Sequence, residues 1–229
     1  MTHLSRFVMP QDTATSIAQH TESTLAATIE LRRHLRQHIG PTYKFTRPDT
    51  FGVHKVGVCI FPPDEHKPYW TVCTAGMSDI SMERAPLSAR NIELLISLPE
   101  EWNWADPVNS WPLALMRTMV ELIASDPNKS IIYGQSVRAK RATIPIFSST
   151  DRAAGGVLFG RPALLPERAW HIVSGELNVR WLAILPIFVE EIEFAEKHGE
   201  HILIDKLEEA KVSELFDRRR INTCSGVRG

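Results

Sequence analysis

Three cysteines in 229 residues, Cys59, Cys73 and Cys224, are an odd number without CxxC spacing. That pattern excludes a disulfide framework and a zinc ribbon, and it fits reduced thiols. No run approaches the roughly 18 apolar residues of a membrane-spanning helix; the most apolar stretch, Trp181–Val189, is far shorter. Met1–Pro10 carries one arginine and no apolar core, so no secretory signal is expected and the reading is cytoplasmic. Charge of one sign is missing too. Lys and Arg number 26 against 27 Asp and Glu, a net of -1, which removes the electrostatic case for nucleic acid or an anionic membrane as partner. What is present is ordinary for a folded chain: 43% hydrophobic and 23% charged residues argue against disorder. No repeat, low-complexity linker or charge block divides the sequence.

Thr13–Ile39 has helical spacing of Ile17, Leu25, Leu35 and Ile39 and a stop at Gly40-Pro41. His54–Phe61 alternates Val56, Val58 and Ile60, the pattern of a half-buried strand. Tyr69–Thr74 is its expected partner and Ile92–Leu98 a third strand closed by Pro99. With the hairpin loop centred on Asp64 and Glu65, Cys59 faces Trp70 and Cys73 faces Val56, so the two thiols are not expected to meet. Trp111–Ser125 returns to helical spacing. Strand character follows at Ser130–Tyr133, Ala142–Phe147 and Gly156–Phe159, with a loop at Ser148–Gly156, and then at Trp181–Phe188. Two acidic helices, Glu190–Lys197 and Glu200–Val212, precede a tail expected to fray from Asp217. The fold class is therefore α+β, a mixed, largely antiparallel sheet flanked by helices. Residues 1–40 are read as an N-terminal helix packed on a domain spanning 41–222, and 223–229 as a frayed tail.

Catalytic patterns fail one by one. Gly134-Gln135-Ser136-Val137-Arg138 puts arginine where a nucleophile elbow needs its last glycine. Glu30, His34 and His38 share one helix face, but among Arg32, Arg33 and Arg36 they read as a solvated face rather than metal ligands. Glu100-Glu101, Glu190-Glu191 and Glu208-Glu209 are adjacent pairs whose members point apart, unlike a converging acid and base. Gly155–Gly160 has apolar bulk where a phosphate loop needs free amides. Arg218–Arg220, beside Glu208, Glu209, Glu214 and Asp217, reads as a solvated tail. No cofactor or metal is implied. Trp102-Asn103-Trp104 lies in a proline-bounded loop, where large rings cap a core or anchor a partner.

Two strings go further: Tyr69–Met82, YWTVCTAGMSDISM, and Asn91–Trp102, NIELLISLPEEW. They resemble the signature of the suppressor of fused (SUFU) family at Thr74, Gly76, Met77, Ser78, Asp79, Met82, Glu93, Leu94, Leu98, Pro99 and Trp102. Trp111-Pro112, Gly134-Gln135-Ser136, Leu185–Phe194 with Pro186, and Asp217–Asn222 are similar to later family segments in the same order, with Gln135 where the family has histidine. The resemblance implies an α+β domain like the amino-terminal half of the animal protein, which masks a Gli-type transcription factor between two domains. This chain is too short for the second domain. It resembles bacterial stand-alone members, for which an immunity role against a toxin has been proposed.

The expected function is accordingly non-catalytic: a protein that masks a partner, an immunity-type protein neutralising a cognate toxin, with a basic toxin domain as the candidate partner. Two alternatives stand beside it, a regulator binding a transcription factor or small molecule, and a hydrolase using His54, Glu93 or Asp79. Gly76 is expected to supply a turn conformation or a close approach, and Asp79 an Asx-type turn. Glu93, a carboxylate in an apolar strand, must be paired or face a cleft, with Arg90 or Arg84 as the candidate partner. Expected partner contacts are Met77, Asp79, Met82, Trp102, Trp104, Glu190 and Glu191; Thr74, Gly76, Ser78, Glu93, Pro99 and Pro186 are expected to be structural.

Overall fold

A computed structural model describes residues 29–226 except 43, 46–48, 52–53, 81, 83, 87–89, 127–129, 139–145, 148–151 and 175–176. Residues 13–28 of the expected first helix, residues 142–145 of an expected strand and 148–151 of the expected loop lie outside that set. The strands are β1 (Lys44–Phe45), β2 (Asp49–Phe51), β3 (His54–Phe61), β4 (Tyr69–Ala75), β5 (Ile92–Pro99) and β6 (Ser136–Arg138). They continue as β7 (Ile146–Phe147), β8 (Arg152–Ala153), β9 (Gly156–Gly160), β10 (His171–Ser174) and β11 (Leu177–Ile187). The helices are α1 (residues 29–38), α2 (Trp111–Ala124), α3 (Val189–His198) and α4 (Glu200–Glu209).

The main sheet runs β1-β3-β4-β5-β11-β9-β6, with β2 added on β3 and β10 on β11. Among the described strands of this sheet β5 and β11 pair in parallel and the other pairs are antiparallel. Alternation along the central strands builds a core on each face. Leu94, Ile96 and Leu98 of β5 with Leu182 and Ile184 of β11 meet Leu115, Met116, Met119, Val120 and Ile123 of α2. On the other face Cys59, Cys73, Leu95, Trp181 and Ala183 meet Leu31 and Leu35 of α1 and Ile39 just after it. Toward the β9 edge, Leu158 and Ile187 are covered by Ile192, Ala195, Leu203 and Leu207 of α3 and α4. His34 of α1 stacks on Trp181 at 5.2 Å between ring centroids, so it packs against the sheet rather than lying on a solvated face.

Three local expectations are corrected. The β3–β4 register places Cys59 directly opposite Cys73. The partner of Cys59 lies three residues later than the symmetric centring gives, and the reversal is centred on His66, because the Asp64 carboxylate accepts the amides of His66 and Lys67, both at 2.9 Å, and folds the loop there. The thiols remain free; burial pushes Cys59 up to about 12 and Cys73 well above its ordinary value. Ser130–Tyr133 is not a strand. Ile131 is buried but Ile132 and Tyr133 are exposed; backbone bonds to β9 begin at Gly134, whose amide donates to the Phe159 carbonyl at 2.7 Å, and the ladder proper at Ser136. The chain after Asp217 does not fray through the described residues: Asn222 and Cys224 are buried.

Candidate functional site

The family-like strings come together in three dimensions. Between β4 and β5 the chain makes a 3-10 turn, Met77–Asp79, entered through Gly76 at φ 102°. A side chain there would be strained twice over, because its Cβ would also lie 2.5 Å from the Lys55 carbonyl oxygen. The β4–β5 ladder stops at Cys73↔Leu95, and the Leu94 amide instead donates to Thr74 Oγ1 at 2.8 Å. Into that opening goes Glu93. Its carboxylate accepts from Thr74 Oγ1 (2.5 Å), the amides of Gly76 (2.9 Å), Met77 (3.3 Å) and Ser78 (3.1 Å), and Ser78 Oγ (2.8 Å).

Glu93 is 0% exposed. Burial pushes its carboxyl above the ordinary glutamate range, against the pull of the Thr74 hydroxyl and the Ser78 and Gly76 donors. The folded chain thus holds this proton more tightly than the unfolded one, and ionisation costs stability as pH rises. The expected arginine partners are corrected: Arg90 donates to the Ala85 carbonyl and Arg84 is exposed. Backbone amides and hydroxyls do the work assigned to a guanidinium. Met77 and Met82, expected at a partner surface, are each 1% exposed and belong to the core beneath α2. Asp79 is half-buried at the end of the turn.

A second junction ties the chain's end to α3. Glu191, expected on an exposed acidic face, is 0% exposed. It receives a two-pronged Arg220 guanidinium, Nη1 to Oε1 at 2.7 Å and Nη2 to Oε2 at 2.6 Å, together with the amides of Phe188 and Thr223 and the Thr223 hydroxyl. Arg220 also donates to the Pro186 carbonyl and lies 4.6 Å over the Phe188 ring. Burial alone would push Glu191 up; Arg220 and the Phe188 and Thr223 amides outweigh it and hold the carboxyl below its ordinary range. Glu190 is half-buried and accepts Asn222 Nδ2 at 2.9 Å. Of the arginine tail read as solvated, Arg218 and Arg219 are exposed, whereas Arg220 is drawn into a buried clamp.

The third feature is aromatic. Trp102 meets Trp104, Trp111 and Phe216 edge-on at 6.3, 5.9 and 5.9 Å, and Trp70 meets Trp104 at 5.9 Å. Trp102 is buried and Trp104 half-buried. The Trp102 edge lines a groove of about 280 Å³ with Asn103, Asn109, Phe216, Arg218 and Arg219. A neighbouring groove of about 440 Å³ shares Pro99, Glu101, Phe216 and Asp217 with it. The ridge between them exists because the Phe216 amide bonds the Ser97 carbonyl at 2.9 Å, pulling the C-terminal segment against the end of β5.

Sequence patterns did not single out Glu214. It is 2% exposed and accepts the Leu164 amide at 2.8 Å. Burial pushes its carboxyl up to about 7, against the Leu164 and Ala163 amides. The folded chain binds this proton and the unfolded chain releases it near pH 4.5, so stability falls as pH rises between those limits, by up to about 3 kcal/mol. Glu214→Gln is expected to flatten that fall, measured as the difference in urea unfolding free energy between the ends of the window.

A profile of the suppressor of fused protein (SUFU) matches residues 52–221. The chain belongs to the suppressor of fused family. A crystal structure described as that of a SUFU homolog from Neisseria gonorrhoeae superposes with a TM-score of 0.64 at 16% identity, over 87% of this chain and 97% of that one. A chain of the Sufu–Fu complex gives 0.56 at 13% identity, over 87% and 92%. Drosophila Suppressor of Fused gives 0.56 at 14%, over 87% of this chain but 51% of its own length. No curated protein matches the sequence. Among the described residues no helix is long and apolar enough to cross a membrane. In this chain the segments that resemble the family thus form two physical joints, Glu93 with the glycine turn and Glu191 with Arg220.

Proposed function

We propose that this SUFU-family chain is a non-catalytic, cytoplasmic binding protein that masks a protein partner, acting as an immunity-type protein that neutralises a cognate toxin. The observation that supports the reading is family membership across residues 52–221, joined to the fold it shares with a chain of the Sufu–Fu complex. Glu93, the acid of a hydrolase alternative, is fully buried and surrounded by five donors, which leaves it nothing to offer a substrate. For a basic partner α3 offers the exposed Glu193, beside the half-buried Glu190 that already holds Asn222, with the Trp102–Trp104 loop as an aromatic contact.

Tagged chain recovered from its native cell at low and moderate salt is expected to bring down one stoichiometric protein that is toxic when expressed alone. Binding through the α3 carboxylates would weaken as salt rises. Recovery of the chain alone at both salts would overturn the masking role.

A further inference from the structure

Between β9 and β10 the chain builds a cleft that the masking surface described above does not use. After Gly160 it turns at Pro162, where the Leu165 amide returns to the Pro162 carbonyl at 3.0 Å. It then passes through a 3-10 turn, Glu167–Ala169, and enters β10. Trp170 is locked at the exit: its Nε1 donates to the Leu165 carbonyl at 3.0 Å, and its own carbonyl accepts the Trp181 amide at 2.9 Å. The resulting space of about 340 Å³ is lined by Tyr133, Arg161, Pro162, Trp170, Arg180 and Leu182, with Glu167 and His171 at its sides.

Its charges are uncommitted. Some guanidiniums elsewhere are consumed within the chain: Arg117 by Glu121, Arg138 by Glu196 and Arg220 by Glu191. Arg161 and Arg180 are exposed and make no ion pair among the described residues. Arg161 instead lies 5.1 Å from the Tyr133 ring centroid, which holds its planar head in place. Arg180 stands directly across the β10–β11 ladder from His171, whose ring is tied to Asn178 Oδ1 at 2.6 Å. The lining thus carries two guanidiniums and one carboxylate, Glu167, together with apolar Pro162, Trp170 and Leu182. Apolar surface continues beyond the rim, with Tyr133 44% exposed and Val173, on the same face of β10 as His171, 67% exposed. Arginine with tyrosine and tryptophan around a small apolar depression is the composition of a protein-binding hot spot.

We infer that this cleft docks an acidic segment of a protein partner, with a Glu or Asp carboxylate held between Arg161 and Arg180 and a neighbouring apolar side chain laid on Trp170 and Leu182. A guanidinium fork matches a carboxylate. A half-open space at the small end of ligand pockets, continuous with exposed Tyr133 and Val173, suits a residue projecting from a larger surface better than a free small molecule. The inference rests on the protein-binding reading and assigns that partner an acidic element.

The test uses the full chain, isotope-labelled, titrated to millimolar concentration with a blocked peptide Gly-Asp-Phe-Glu-Leu-Gly. Parallel titrations use its counterpart with lysine for both acids, and inorganic phosphate. Saturable shifts at the Trp170 indole N–H and the Arg180 side chain are expected for the acidic peptide alone. The R161A/R180A double variant should bind it about tenfold more weakly or worse. A flat titration, equal binding of the lysine peptide, unchanged binding by the double variant, or phosphate that displaces the peptide with equal affinity would each overturn the proposal. The two readings fail separately. A partner still captured by R161A/R180A sinks the cleft and leaves masking intact, whereas a wild-type chain recovered alone sinks masking while the titration still decides the cleft.

Discussion

Replacing Glu93 by alanine is expected to lower the unfolding free energy by about 3–5 kcal/mol, a large share of what a domain this size has to lose. The cost comes from the donors left behind. The amides of Gly76, Met77 and Ser78 and the hydroxyls of Thr74 and Ser78 all point at this carboxylate, and each buried donor without an acceptor costs on the order of 1–3 kcal/mol. Relief of the carboxylate's own desolvation offsets part of that sum. Glu93→Gln separates the terms: one amide oxygen still accepts, but its NH2 faces donors, so an intermediate loss is expected. Because Glu93 is held above the ordinary glutamate range, the wild type should lose stability with rising pH in a way neither variant does. Urea unfolding of the three proteins at acid and neutral pH measures both effects. Equal stability of wild type and Glu93→Ala at neutral pH would show that the turn between β4 and β5 does not depend on the carboxylate.

That joint also shows what was legible before any coordinates. An acid inside IELLISLP is conspicuous, and the demand that it be satisfied follows from burial alone. Its partner was misassigned because reasoning from side-chain inventories looks for Arg90 or Arg84. The acceptor's real partners are backbone amides, which only a turn at Gly76 can aim together. The period-2 strands β3, β4 and β5 read cleanly for the same reason that they form: each buries alternating residues on two covered faces. Leu177–Arg180 and the whole of β10 escaped, since Ser174, Asn178 and Arg180 break the apolar pattern where that hairpin meets solvent. Met77 and Met82 were misplaced on a surface because a short polar-flanked segment hides the burial that α2 imposes on it. Arg161 and Arg180 lie far apart in sequence, and only the β9–β11 geometry brings them to one cleft.

Arg220 carries the second large effect. Hydropathy after Asp217 falls away, which is why fraying was expected; charge and hydrogen bonding, invisible to that measure, hold the segment instead. The Arg220→Ala variant leaves Glu191 buried without its cation, and breaking such a pair costs about 3–5 kcal/mol. It also frees the Pro186 carbonyl and uncovers Phe188, so the loss should appear first as faster hydrogen exchange through residues 213–226 and the start of α3. The pH dependence identifies the cause. In the wild type Glu191 is held below the ordinary range, so its contribution is present at neutral pH and disappears as pH falls through its titration. In Arg220→Ala the same carboxyl is driven upward and takes a proton in mild acid, which relieves the buried charge. The gap between the two proteins should therefore be widest at neutral pH and close toward acid. Adding Glu191→Gln to Arg220→Ala should recover part of the loss at neutral pH, because the uncompensated charge is gone although the fork is not restored. A gap independent of pH, with no recovery in the double variant, would mean that Arg220 acts through packing on Phe188 and not as the cation that anchors α3.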